Sequence, residues 1–212
     1  MIPFSPPRID DKTIAEVTDA LQSGWITTGP KTKLFEEKLA AFIGVKHVVC
    51  LNSATAGMQL ILNWLGVKKG DEVIVPAYTH CATANVVIHA GAKPVMVDVN
   101  EDDFNISINA VRNAITPKTK AIMPVHMYGS AMNMPNVLAF SKKHKLKVIE
   151  DAAQAVGVRQ SGRHMGTFGD ISIFSFFADK TVTMGEGAFI VTNDDEISEK
   201  IKLLRNQGRP NS

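Results

Sequence analysis

"EVIVPAYTHCATANVVIHAGAKPVMVDV", residues 72–99, is the stretch from which the fold class can be read. It opens on a β-branched run closed by a proline and ends on a second such run, PVMVDV. Between them, residues 80–90 are small and apolar and read as a helix. Two short apolar runs joined by a helix form the unit of a parallel sheet, because parallel neighbours need a crossover connection.

The same alternation extends in both directions. Upstream, HVVCLN (47–52) reads as a buried strand and TAGMQLILNWLG (55–66) as a helix. Downstream come a helix over 107–115, the strand AIMPVHM, a helix over 135–144 and the strand KVIEDA. Two helices precede the series. DDKTIAEVTDALQSG has Ile14, Val17 and Leu21 at helical spacing and Gly24 as a stop. The second follows Pro30, with Leu34, Phe35, Leu39 and Phe42 expected inward and Gly44 ending it. After Asp151 the rhythm changes. DISIFSF and GAFIVT read as strands with a short connection, followed by a helix from Asp194 to Gln207. The expected fold class is α/β, a three-layer α/β/α arrangement around a mostly parallel mixed sheet.

Composition narrows the function classes. The 212 residues are 45% hydrophobic and 21% charged, which suits a soluble globular chain. A formal net charge of +2 gives no polybasic signal, so neither nucleic acid nor a membrane surface is expected as a partner. Cys50 and Cys81 are the only cysteines and lack metal or disulfide spacing, which fits a reducing cytoplasm and no metal site. MIPFSPPRIDD has three prolines and acidic residues where a signal peptide needs an apolar run. No stretch approaches the roughly 20 apolar residues of a membrane helix. A cytoplasmic location is the expectation.

Sites in such sheets gather beyond the carboxyl ends of the strands. Residues expected there include Ser53, Ala54 and Thr55 after the first strand, His80 after the second and His126 after the fourth. Glu150, Asp151 and Gln154 follow the fifth, and Ser175 and Lys180 stand farther on. Each has a plain reading: Ser53 as a helix cap, Asp151 as a salt-bridged carboxylate, the histidines as partly buried rings, Ser175 as a small hydrogen-bonded residue. Lys180 is harder to dismiss. It stands nearly alone among apolar, small and β-branched residues, and a desolvated amine gives up its proton to become a nucleophile toward a carbonyl. Pyridoxal phosphate needs an amine for its carbonyl carbon, a carboxylate for its ring nitrogen, donors for its phosphate and a flat group on its ring. Lys180, Asp151, the 53–55 turn with Ser175, and His80 would supply these in turn.

The chain resembles the DegT/DnrJ/EryC1/StrS sugar-aminotransferase family, of the aspartate-aminotransferase fold type, along essentially its whole length. The resemblance rests on GWITTGPKTKLFEEKLAAFIG, LNSATAGMQL, GDEVIVPAYTHCATANVVIHAGAKPVMVDV, TKAIMPVHMYG, VIEDAAQAVG and SIFSFFADKTVTMGEGAFIVT, in that order. It implies a homodimeric pyridoxal-phosphate enzyme of amino-sugar or polysaccharide biosynthesis. Such an enzyme moves an amino group from an amino acid, with glutamate expected, to a keto group of a nucleotide-linked sugar. By position, Lys180 matches the lysine that binds the cofactor and shuttles the proton, and Asp151 the partner of the ring nitrogen. Gln154 falls near the ring oxygen, Ser175 with Ala54 and Thr55 at the phosphate, and His80 where an aromatic ring stacks. Trp25, Thr27, Thr28 and Gly29 fall in a segment that lies near the substrate site of a dimer.

The chain departs from the family at several points. His80 replaces the usual Phe, Tyr or Trp, and GEGA, with Ala188, stands where GEGG is common. Lysine at position 180 argues against the branch that uses histidine there for sugar dehydration. Family members continue into a small C-terminal domain, whereas residues 1–212 match only the cofactor-binding large domain with its N-terminal arm, 1–30. Competing readings are a cofactor-binding fragment without turnover, and another pyridoxal-phosphate enzyme modifying sugars. A nucleotide-binding Rossmann oxidoreductase is a third, but NSATAG after the first strand lacks the GxGxxG glycines.

Overall fold

The computed structural model of the protein describes residues 6–210, so part of the proline-rich start and the last two residues of RNQGRPNS lie outside the described residues. Val73, Ile74 and Val75 are wholly buried on strand β2 (Glu72–Pro76), where β-branched side chains suit a pleat covered on both faces. Helix α4 (Cys81–His89) carries the chain back to β3 (Lys93–Val97), which pairs with β2 in parallel, Glu72 opposite Lys93 and Pro76 opposite Val97.

Before this unit come α1 (Asp11–Gln22), α2 (Pro30–Ile43), β1 (His47–Leu51) and α3 (Ala54–Trp64). After it come α5 (Ile108–Ala114), β4 (Thr119–Ile122), α6 (Met134–His144) and β5 (Lys147–Asp151). A small hairpin, β6 (Arg159–Gln160) and β7 (Arg163–His164), leads to β8 (Ile171–Ser175), β9 (Ala188–Thr192) and α7 (Asp195–Arg205). The main sheet has seven strands in the order β1-β9-β8-β5-β4-β2-β3. Strand β9 runs against both of its neighbours, and the other adjacent pairs are parallel. Six strands therefore end on one edge.

Successive residues of the inner strands enter opposite apolar layers, as the period of two requires. Val148 belongs to one buried cluster with Leu39 and Ile43 of α2, Val111 of α5 and Phe140 of α6. Its neighbour Ile149 belongs to the other, with Leu62 of α3, Val86 of α4 and Ile201 of α7. This gives the three-layer α/β/α arrangement expected from the sequence.

Several local expectations are corrected. Helix α1 forms and is capped by Asp10, whose carboxylate accepts from the Thr13 N–H at 3.0 Å, yet none of its residues is buried. Its Ile14, Val17 and Leu21 are 55%, 57% and 64% exposed. In α2 the stripe Phe35, Leu39 and Ile43 turns inward, leaving Leu34 and Phe42 exposed on the flank. Strand β4 stops at Ile122 because Pro124 has no N–H for the ladder; Val125 rejoins β5 through a single bridge to Asp151. The short connection expected between β8 and β9 is the loop over residues 176–187. The β6–β7 hairpin was not foreseen, although its Ser161-Gly162 dipeptide is the signal for such a turn. Both residues have left-handed φ, 50° and 81°.

The turn after β7 approaches the core closely. Gly166 has φ of 82°, and a Cβ there would stand 2.4 Å from Phe174 Cζ, on a ring stacked against Phe189 at 4.6 Å. Gly166→Ala therefore combines left-handed strain with overpacking and is expected to cost about 2–4 kcal/mol. A lowered urea midpoint checks this, and a midpoint equal to wild type contradicts it.

Candidate active site

Asp151 ends β5 and is buried, with its side chain on the α3–α4 side of the sheet. Its Oδ2 accepts from the Thr83 hydroxyl at 3.0 Å, and its Oδ1 accepts from the Ala153 N–H at 3.1 Å. Thr83 in turn shares a hydrogen bond with the Thr79 hydroxyl at 3.0 Å. Burial pushes the Asp151 carboxyl above the usual carboxylate range. The Ala153 N–H, the Thr83 hydroxyl and the charges of His126 and Lys180 pull it down and offset part of that rise.

Asp151 forms one wall of a cleft of about 290 Å³ between the beginnings of α3 and α4. Ser53 caps α3, its Oγ accepting from the Ala56 N–H at 3.2 Å. His80 caps α4, its Nδ1 accepting from the Ala82 N–H at 3.2 Å. Two helix N-termini thus meet at the cleft. The N–H groups of Ala54 and Thr55 fall in the first turn, where a helix offers donors and the positive end of its dipole to an anion. Ser175 closes β8 on the same side, and its Oγ accepts from the Phe177 N–H at 3.2 Å.

Lys180 also lines this cleft. It stands not in an apolar strand, as its sequence neighbours suggested, but in the β8–β9 loop, because β8 ends at Ser175. Its side chain is 16% exposed, and its Nζ lies 3.1 Å from Asp179 Oδ1. The loop is tied down at its base by Phe176 N–H to Gly187 C=O at 2.8 Å and Met184 N–H to Phe176 C=O at 3.0 Å.

Ser53, Ala54, Thr55, His80, Asp151, Ser175 and Lys180 are therefore brought together around one cavity. Gln154 is not among its lining residues, and its Oε1 accepts from the Tyr128 N–H at 2.6 Å. Trp25, Thr27 and Gly29 line a separate hollow of about 570 Å³ with Val17 and Leu21 of α1, while Thr28 lines another beside Phe35 and Met184. None of these four residues lines the cavity that holds Lys180. His126 is wholly buried behind the sheet and takes no part in the cavity wall.

Two lining residues with polar side chains, Thr83 and Glu186, lie outside the set expected from the sequence. Thr83 lies one helical turn after Thr79, on one face, and that spacing of hydroxyls could have drawn attention to it. Glu186 lies in GEGA, where the glycines took the notice. Among the described residues no group of His, Cys, Asp or Glu is placed to hold a metal ion, and no helix is long and apolar enough to cross a membrane. The donor set combines a buried carboxylate, an amine, hydroxyls and helix N-termini in a small cavity. It fits a flat, anionic cofactor that carries a carbonyl and a basic ring nitrogen, and pyridoxal phosphate has all of these features.

A profile of the DegT/DnrJ/EryC1/StrS aminotransferase family matches residues 7–212. The spore coat polysaccharide biosynthesis protein SpsC of Bacillus subtilis is 44% identical over 98% of this chain and 53% of its own length. GDP-perosamine synthase of Caulobacter vibrioides is 43% identical over 98% of this chain and 56% of its own. Among solved structures, the PLP form of the putative sugar aminotransferase Spr1654 from Streptococcus pneumoniae superposes with a TM-score of 0.92. It shares 39% identity over 96% of this chain and 57% of that one. The chain spans about half the length of the curated relatives it matches.

The buried state of Asp151 has a measurable consequence. Its folded pKa lies above the unfolded value, so its contribution to stability is full below the unfolded pKa and is lost as pH rises through the folded one. In Asp151→Asn the amide oxygen can take the Ala153 N–H and the amide N–H can donate to Thr83, with no charge to bury. The ligand-free variant is expected to melt a few degrees above wild type near about pH 8, the difference closing toward about pH 4. Melting curves across that range test this; a variant less stable than wild type at the alkaline end contradicts it.

Proposed function

Because the chain belongs to the DegT/DnrJ/EryC1/StrS aminotransferase family, we propose that its cleft binds pyridoxal phosphate for transfer of an amino group. The group passes from an amino acid, glutamate in the first instance, to a keto carbon of a nucleotide-linked sugar. The observation that carries this reading is the convergence of the Lys180 amine and the buried Asp151 carboxylate on one cavity between two helix N-termini. The sugar class is supported by the names of relatives, GDP-perosamine synthase and the sugar aminotransferase of S. pneumoniae.

Each residue has a task that its surroundings suit. The first-turn N–H groups of Ala54 and Thr55, with Ser53 and Ser175, would hold the phosphate. His80 offers the face of its ring, and Gln154 stands in the next turn beyond Asp151. Asp151, held by Thr83 and the Ala153 N–H, presents negative charge where the cofactor's ring nitrogen is to stay protonated. When bound, pyridoxal phosphate supplies a sink for the electron pair left on a substrate carbon that loses its proton. Lys180 would bond to the cofactor at rest, and its freed amine would take that proton and return it to the neighbouring carbon. Incubation with pyridoxal phosphate, borohydride reduction and peptide mapping should place the label on Lys180. Label confined to surface lysines such as Lys142 and Lys143 would overturn the reading. Lys180→Arg is expected to lower amino transfer by about 10²–10⁴-fold in the complete protein.

The reading includes a homodimer. Val17 and Leu21 on α1, with Trp25 at 59% and Ile26 at 79% exposure, form an apolar surface that association would cover. A second copy would also account for a substrate role of Trp25, Thr27, Thr28 and Gly29, which do not line the Lys180 cavity within one chain. Sedimentation is expected to give a dimer that Ile26→Glu shifts toward monomer. A monomer in the wild-type protein would remove this part of the proposal.

A further inference from the structure

One of the two side-chain donors around Asp151 continues into a chain of hydroxyls. The Thr83 hydroxyl lies 3.0 Å from Asp151 Oδ2, and the Thr79 hydroxyl lies 3.0 Å from that of Thr83. An ionised carboxylate can only accept, so the Thr83 proton must point to Oδ2. Thr83 then has only lone pairs to offer Thr79, and Thr79 must be the donor between them. The three side chains therefore form a chain with one direction, from Thr79 through Thr83 to Asp151. A donor that itself accepts a hydrogen bond is polarised and donates more strongly.

Local helix chemistry does not account for this arrangement. A helical threonine often turns its hydroxyl back to the carbonyl four residues earlier, as Thr18 of α1 does toward the Ile14 C=O at 2.8 Å. Thr83 sits in the first turn of α4, its N–H donating to the His80 C=O at 3.1 Å, yet its hydroxyl crosses to β5. Thr83 has no solvent exposure, so water does not compete for that bond. Its branched Cβ restricts χ1 and keeps the hydroxyl on this line. Thr79 precedes the His80 cap, is half-buried and is not among the residues lining the cavity.

We propose that Thr79 and Thr83 are positioning residues that hold Asp151 as an oriented carboxylate through this relay. Thr83 fixes Oδ2 toward α4 while the Ala153 N–H fixes Oδ1, so the carboxyl plane cannot turn. Thr79 acts only through Thr83. The charged and titratable groups about Asp151 are Lys180 with its partner Asp179, His80 and Glu186 on the cleft side, and Glu150 with His126 on the other face. Only the task given to the oriented carboxylate rests on the proposed function; the test reads the ligand-free protein and leaves all of these groups in place.

Thr83→Val keeps the shape of the side chain and removes the hydroxyl; Thr83→Ser returns the hydroxyl. Carboxyl ¹³C NMR follows the Asp151 titration, with Asp151→Asn identifying the signal. Removing a donor from the charged form is expected to raise the midpoint by about one pH unit in Thr83→Val, and Thr83→Ser to bring it back within about 0.3 unit of wild type. Thr79→Val is expected to raise the midpoint by a smaller step, and to add nothing in the Thr83→Val background, because its effect has no other route. A midpoint in Thr83→Val equal to wild type overturns the proposal, and so does a Thr79→Val step that persists without the Thr83 hydroxyl. Thr79 lies ahead of the helix and is half-buried, so its variant keeps the test open should Thr83→Val not fold: a midpoint unmoved by Thr79→Val also overturns the relay. Any of these failures leaves the borohydride labelling of Lys180 untouched, and failed labelling leaves the titrations standing, so the two ideas fall separately.

Discussion

Two carboxylates in succession, Glu150 and Asp151, end the central strand β5, and both are withdrawn from solvent. The strand's period of two sends them to opposite faces, and neither could stay there without its own set of donors. Glu150 has three backbone N–H groups of the 166–169 turn and the His126 ring; Asp151 has a threonine hydroxyl and one backbone N–H. One acid is fully satisfied by the protein. The other is left partly satisfied, beside a cavity, with its carboxyl pushed upward by burial. That unevenness separates an acid enclosed by the fold from one left facing a cavity.

The surrounding fold serves this strand end. Parallel pairing puts the carboxyl ends of β5 and β8 side by side, and the register places Asp151 opposite Ile173, two residues before Ser175. Crossover helices must then begin at the same edge, so the N-termini of α3 and α4 face each other across the space above Asp151. Gly57 lets α3 lie close to the sheet: a Cβ there would stand 2.4 Å from Ile173 Cδ1, inside a wholly buried layer. The helix start at residues 53–55 and the carboxylate at Asp151 are thus set by one packing arrangement, between helix and strand.

Lys180 reaches the site by a different route. Strand β9 reverses direction beside β8, and this costs a loop of Phe176–Gly187 that passes over the carboxyl edge. A side chain on such a loop can reach a cavity without being locked into a pleat. The reversal is also what makes the sheet mixed, and it puts the amine next to Asp179 instead of next to apolar strand residues.

Much of this was legible in the sequence. Alternating β-branched runs and helical segments fix the element order, because periods of two and of 3.6 are local properties of a chain. The residue types gathered at the strand ends followed from that order, and seven of them do share one cavity: Ser53, Ala54, Thr55, His80, Asp151, Ser175 and Lys180. What the sequence could not fix depends on contacts between distant residues. The apolar stripe of α1 predicted a helix but not that the helix would stay uncovered, since burial needs a partner surface that periodicity does not name. Trp25, Thr27, Thr28 and Gly29 line other hollows than the one that holds Lys180. Glu150 and Asp151 are identical in kind and adjacent in order. Which of them is silenced by four donors, and which is left facing a cavity, was decided only when the turn at 166–169 and the start of α4 packed against opposite faces of β5.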